Sequence, residues 1–185
     1  MLAHFDLGVS CFELGRLDDA TKELQAALTI APYYTRAGEL LGTIWLQKKD
    51  YKQAHLQFDQ VLEVDPSDYL AHYNLGVLAT MQNNSEEAER HLRSALRVDP
   101  SAAEPHNALG SLYLRQGRLE PARRELAEAV RLQPHFVWAH YNLGLVLQAE
   151  KLEDKASEQF RQALSGDPEF RPARDALERL EKREQ

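Results

Sequence analysis

The chain has 185 residues, 43% of them hydrophobic and 28% charged, with a formal net charge of −7. The acid excess argues against nucleic acid as the main partner, because phosphate recognition needs a basic face. The single cysteine, Cys11, leaves no intrachain disulfide, so the fold needs no oxidising compartment.

No charged-then-apolar leader opens the sequence and no apolar run is long enough to span a membrane. A cytoplasmic protein without membrane contact is the expectation. A start inside a helix also fits a domain excised from a longer protein or a processed chain. Two rulers mark the sequence. Leu-Gly occurs at Leu7-Gly8, Leu41-Gly42, Leu75-Gly76, Leu109-Gly110 and Leu143-Gly144, each 34 residues after the last. Pro32, Pro66, Pro100, Pro134 and Pro168 keep the same step, as do Ala20, Ala54, Ala88, Ala122 and Ala156. The stretch from Ala71 to Gly76 returns unchanged from Ala139 to Gly144. A fixed period of this length predicts stacked repeats that each touch only their neighbours. Five units follow, at 1–34, 35–68, 69–102, 103–136 and 137–170, and then a tail at 171–185.

Each unit predicts two antiparallel helices, here called A and B. In the first unit helix A runs over about Leu2 to Leu14 and helix B over about Asp18 to Ile30. Gly15 and Gly117 suit the left-handed residue that ends helix A. Asn83 suits it next best, and Lys49 and Lys151 fill the slot less comfortably. Asp18, Asp50, Ser85 and Glu153 open the B helices, where acidic and capping residues favour a helix start. Asp65-Pro66, Asp99-Pro100 and Asp167-Pro168 close them, because the residue before proline is pushed out of helical geometry. Glycine at unit position 8 and alanine at 20 and 27 predict a close approach of the two helices. Cys11 reads as a small core residue. Unit two departs most: Gly38 stands where the others have His4, His72, His106 and His140. Glycine inside a helix costs ~1 kcal/mol against alanine, so this helix A is expected to be the softest and the one open to bending. Pro105 and Pro121 fall in first turns, where proline is tolerated.

The tail predicts a capping helix with an apolar stripe of Ala173, Ala176, Leu177 and Leu180. The N-terminal end has no such cap. Phe5, Leu7 and Phe12 lie in an end helix with no preceding unit, which implies cover by missing sequence or by a second subunit, a homo-oligomer.

Enzyme signals are absent from the sequence: no Walker loop, no Rossmann glycine triplet, no His-Glu-x-x-His, no Cys-x-x-Cys pair, no Gly-x-Ser-x-Gly. His4, His72, His106 and His140 share one repeat position and stand a unit apart, too far to converge on a metal at ~2 Å. His55, His91 and His135 read as scattered surface residues. The acidic runs at Asp18-Asp19, Glu86-Glu87 and Glu153-Asp154 read as helix-start charges. The expectation is a non-enzyme with no catalytic residue, metal or cofactor.

The period, the Leu-Gly step, Ala at 20, Phe or Leu at 24, Ala or Val at 27 and Pro at 32 resemble the tetratricopeptide repeat. That resemblance implies an all-α, right-handed superhelical solenoid of about eleven helices. It further implies that the A helices line a concave groove, with ligand contacts at unit positions 2, 5, 6, 9, 12 and 13. The carboxylate clamp of chaperone-binding members is disfavoured, because Phe5, Val9 and Leu40 stand in its slots. Asn74 and Asn142 match the asparagine ladder of O-linked N-acetylglucosamine transferase repeats, whereas Asp6, Leu40 and Ala108 do not. The candidate peptide-binding residues are Arg36, Tyr73, Asn74, Asn107, Ser111, Arg115, Trp138, Tyr141 and Asn142. Leu2, Phe5, Val9 and Leu40 make the N-terminal groove more apolar, suited to an amphipathic helix or an internal tail. The expected function is a non-catalytic adaptor that holds a peptide or helix of a partner protein. The alternatives are the targeting region of a larger enzyme, such as a glycosyltransferase of that type, and a self-assembling unit of the pilus-biogenesis or organelle-coat kind.

Overall fold

The computed structural model describes residues 1–182 and contains, among them, eleven helices and no strand. They are α1 (Leu2–Glu13), α2 (Leu17–Ile30), α3 (Thr35–Gln47), α4 (Tyr51–Val64), α5 (Tyr69–Met81) and α6 (Ser85–Val98), followed by α7 (Ala103–Arg115), α8 (Leu119–Leu132), α9 (Val137–Ala149), α10 (Glu153–Gly166) and α11 (Arg171–Glu181). The last three residues of the expected capping helix, 183–185, lie outside the described residues. The chain divides into two compact bodies, Met1–Val98 and Asp99–Gln185.

In the first body α1 packs on α2, α3 on α4 and α5 on α6, with α2–α3 and α4–α5 joining the pairs. The odd-numbered helices α1, α3 and α5 also touch in sequence. In the second body α7 pairs with α8 and α9 with α10, α7 touches α9, and α11 closes on α10.

The turns follow one backbone rule. The second residue after each helix A takes a left-handed conformation: Gly15 (φ 72°), Lys49 (59°), Asn83 (60°), Gly117 (71°) and Lys151 (61°). The next amide then reaches back over the last turn, as in Arg16 N to Cys11 O (2.8 Å) and Asn84 N to Ala79 O (2.9 Å), satisfying carbonyls the helix leaves open. The Asp-Pro exits are built alike. Asp65 accepts from Ser67 N and Oγ (2.9 and 2.8 Å), and Asp99 from Ser101 N and Oγ (2.9 and 2.6 Å). These bonds favour the charged form and hold both carboxyls below their ordinary value, with the serine hydroxyl as the main cause.

The core is a repeated glycine contact. A Cβ placed on Gly8, Gly42, Gly76, Gly110 or Gly144 would stand 2.9, 2.6, 2.6, 2.4 or 2.5 Å from the side chain at unit position 24 of the paired helix. Those side chains, Leu24, Phe58, Leu92, Leu126 and Phe160, are all fully buried. The missing side chain is what lets the two helices close on each other. Cys11 is buried, as its repeat position suggested. In α11, Ala173, Ala176 and Leu180 are buried against the preceding pair, and Leu177 is half-buried.

Two expectations meet the structure here. Helix α3 runs without interruption from Thr35 to Gln47, so Gly38 does not break it. A Cβ on Gly38 would lie 2.7 Å from Val61 Cγ2, and Val61 stands where the other units have Ala27, Ala95, Ala129 and Ala163. The bulk removed from α3 is thus partly restored from α4, and packing holds the helix where propensity alone would not. Phe5 is not a bare end residue either. It is 7% exposed, with the Tyr34 ring edge-on at 5.0 Å and the Arg36 guanidinium 5.3 Å over its face.

Candidate functional site

The A-helix faces carry the candidate residues, and each body presents its own set. In the first body α1, α3 and α5 line an open cleft of about 360 Å³. Phe5, Val9, Phe12, Leu40 and Leu70 give it an apolar wall, with Glu13, Arg36, Glu39 and Thr43 at its polar side. Glu39 is half-buried, and its carboxyl is pushed up to about 7, chiefly by burial and then by the Asp68 carboxylate that it hydrogen-bonds. Asp68 is already committed, since it caps α5 by accepting from Ala71 N at 2.7 Å. Glu39 therefore holds its proton for part of the time near neutral pH, which lowers the negative charge of the cleft.

Tyr73 and Asn74 sit further along this face. The Tyr73 ring lies parallel to Tyr69 at 6.3 Å. The Asn74 amide donates to Leu70 O of its own helix at 2.9 Å. In the second body Asn142 Nδ2 donates to Asn107 Oδ1 at 2.9 Å, so two candidates from neighbouring A helices are joined. Tyr141 is wedged among Trp138, Phe160 and Phe170, with ring centroids 5.5 to 6.1 Å away. Trp138 remains 51% exposed. Ser111 is half-buried and Arg115 exposed on the same pair of elements. The candidates thus gather as Arg36, Tyr73 and Asn74 in one body and Asn107, Ser111, Arg115, Trp138, Tyr141 and Asn142 in the other. Glu39 falls on a groove position read from the sequence but was not among the nine candidates, and its raised carboxyl was not foreseen. The available signal was a carboxylate at unit position 5, where the other units have Phe5, Tyr73, Asn107 and Tyr141.

The histidine ladder has partners. His4 Nδ1 meets Glu23 at 2.7 Å, His106 Nδ1 meets Glu125 at 2.7 Å, and His140 Nδ1 meets Gln159 at 2.8 Å, each 19 residues on. In unit three that partner is His91, which meets His72 Nδ1 to Nδ1 at 3.0 Å and is only 4% exposed. His91 is therefore a buried partner of the ladder and not a surface residue. Burial, aided by Arg90 and His72, pushes its imidazole down to about 4, against weak opposition from Glu87. His72 is also lowered, mainly by burial, whereas the Glu125 hydrogen bond raises His106.

This difference fixes a sign. His91 takes up a proton near its ordinary value of ~6.5 when unfolded but only near 4 when folded, so stability is lost as pH falls from 6.5 towards 4. His91→Glu gives His72 the carboxylate partner that His106 has. A histidine raised in the folded state adds stability below its unfolded value and loses it as pH rises. The variant should lose about 1 kcal/mol less than the native chain between pH 7.5 and pH 5, read from urea midpoints. Equal losses in the two proteins would refute the assignment of this pair as an acid-labile contact.

Among the described residues no group of three or more His, Cys, Asp or Glu side chains could hold a metal ion. No helix among them is long and apolar enough to cross a membrane.

The geometry agrees with the comparisons. One family model described as tetratricopeptide repeat matches residues 1–35 and 40–103, and further repeat models match 110–150 and 139–170. A mouse protein, Superkiller complex protein 3, is 37% identical over 70 residues; that segment is 38% of this chain and 4% of the mouse protein. Among solved structures, MamA from Desulfovibrio magneticus RS-1 aligns with a TM-score of 0.79 at 21% identity, over 91% of this chain and 95% of its own. YrrB, described as a repeat protein of this kind with an unusual peptide-binding site, aligns at 0.73 and 20% identity over 95% and 90% of the two chains. Likeness at that identity speaks for the fold alone. The repeat models, which between them match most of residues 1–170, carry the conclusion that the chain belongs to the tetratricopeptide repeat family.

Proposed function

We propose that this chain is a non-catalytic interaction module that holds a segment of a partner protein against its A-helix faces. The observation that carries the reading is the cleft of α1, α3 and α5, where apolar side chains stay open to solvent beside Arg36 and a Glu39 whose carboxyl is raised by burial. Such a wall suits the apolar stripe of an amphipathic helix, whose anchors recur at i, i+3, i+4 and i+7. Arg36, Tyr73 and Asn74 extend this face. Asn107, Ser111, Arg115, Trp138, Tyr141 and Asn142 form a second contact strip, in which Trp138 and Tyr141 are rigid anchors of the kind enriched at binding hot spots. The peptide-binding description attached to YrrB supports the same mode of action.

The test is selection of a displayed peptide library on the native chain and on Val9→Asp/Leu40→Asp. Both positions are half-buried, and the variant's fold is checked by circular dichroism. Native protein should enrich amphipathic sequences. The variant should bind them at least about tenfold more weakly, a loss of ~1.4 kcal/mol. Enrichment no better than for scrambled peptides, or equal binding by the variant, would remove the cleft as the site.

A further inference from the structure

The same repeat position that builds the histidine ladder also serves the turn before it. His72 Nε2 lies 3.1 Å from Pro66 O, His106 Nε2 lies 3.3 Å from Pro100 O and His140 Nε2 lies 2.9 Å from Pro134 O. In the capping helix Arg174 takes the place of the histidine, and its Nη2 donates to Pro168 O. Four of the five turn carbonyls are thus met by a side-chain donor at the fourth position of the following unit. The fifth, Pro32, is followed by Gly38, which has no donor to offer.

An open cleft of about 310 Å³ lies at this place, lined by Pro32, Tyr33, Gln57, Gln60 and Glu63 among others. Gln57 is the counterpart of Glu23, His91, Glu125 and Gln159, the residues that meet the second ring nitrogen elsewhere. Here its Nε2 turns aside and donates to Gln60 Oε1 at 3.1 Å. Val61 fills only the root of the slot, 2.7 Å from where a Cβ on Gly38 would lie. The acceptors beyond that root stay within reach of a group entering from solvent.

Their chemistry selects the visitor. The Pro32 carbonyl, two glutamine amide oxygens and the Glu63 carboxylate are all acceptors. Glu63 is the only carboxylate at its unit position, against Thr29, Arg97, Arg131 and Ser165. The Tyr33 ring, 80% exposed, stands beside them. A guanidinium answers this set. It carries five donors in one plane, a fixed positive charge and a face that stacks on an aromatic ring, whereas an ammonium is a point charge with no such face. Arg174 shows the same group in the equivalent slot of this very chain.

We infer that the Gly38 cleft is a binding site for an arginine side chain presented by a partner protein. It shares no lining residue with the α1–α3–α5 cleft, so it stands or falls independently of the function proposed above.

The test is an amide nitrogen–proton correlation spectrum of the full chain, titrated with acetyl-Gly-Gly-Arg-Gly-Gly-amide and with the citrulline, lysine and histidine versions. The arginine peptide should shift the side-chain amides of Gln57 and Gln60 and the backbone amides of Tyr33 and Gly38, saturating with a Kd of about a millimolar, as expected for one anchor. The citrulline and lysine peptides should bind at least ~fivefold more weakly, and so should the arginine peptide to Glu63→Gln, an exposed change that leaves the fold intact. Gly38→His/Val61→Ala, which fills the slot as the other units do, should abolish the saturable shifts. The inference is overturned by the absence of saturable shifts at those amides, by equal binding of the lysine or histidine peptide, by full binding to Glu63→Gln, or by binding that survives in the filled slot. Ethylguanidinium binding as tightly as the peptide would reassign the site to a free small guanidinium and overturn the partner-borne arginine.

Discussion

Phe160→Ala lowers the stability of the body Asp99–Gln185 by about 4 kcal/mol, near the top of the range for single core truncations. The ring is fully buried and lies across α9 at Gly144, where a Cβ would meet Phe160 Cε1 at 2.5 Å. Tyr141 packs on it with ring centroids 5.9 Å apart, so truncation opens a cavity beneath a candidate contact residue as well. Ala156 and Ala163, the other fully buried apolar residues of α10, are too small to fill the cavity. Phe160→Leu should cost only about 1 kcal/mol, since Leu24, Leu92 and Leu126 fill the same position in sister units. Hydrogen exchange of the α9 and α10 amides is the suitable readout, because repeat arrays need not unfold in one step. An alanine variant that loses less than ~1.5 kcal/mol of protection would show that the pair relaxes around the gap, against the rigid contact described here.

Gly110→Ala should cost about 2 kcal/mol even though alanine is the better helix former by ~1 kcal/mol. The added methyl would stand 2.4 Å from Leu126 Cγ, 2.9 Å from its Cδ2 and 3.2 Å from Ala122 O, so α7 and α8 must separate. Gly117→Ala is the control. Its φ of +71° disfavours a side chain, yet nothing lies within 4 Å, so only the backbone term of about 1 kcal/mol applies. Combining Gly110→Ala with Leu126→Ala should cost less than the sum of the two single changes, because the new methyl moves into the new space. Hydrogen exchange of the α7 and α8 amides in the four variants decides it. Strict additivity, or a Gly110 variant as stable as the native chain, would refute the close-contact reading of unit position 8.

The architecture was legible in the sequence because its determinants are backbone-level and repeated. A glycine that admits a neighbouring helix and a residue that accepts positive φ recur at fixed spacing, and even Lys49 and Lys151 adopt the conformation their position dictates. What was not legible depends on which side chain meets which. His91 looked like a surface residue until its offset of 19 from His72 became a 3.0 Å contact. Gly38 looked like a weak point because propensity was weighed without Val61, which lies on the other helix. The face residues fared between these extremes. Their positions followed from the repeat, but the Asn142–Asn107 bond depends on a neighbour one unit away, and the raised Glu39 carboxyl on burial and on Asp68 at the far end of its own unit.

The exchange between Gly38 and Val61 also constrains how such a gene can change. The two residues are encoded on either side of the turn between α3 and α4. A crossover between repeats that falls in that turn would bring a histidine from one unit against the valine of another, or a glycine against an alanine. The first product is overfilled and the second hollow. A chain assembled from half-units across that turn should therefore be less stable than one that exchanges the second unit whole.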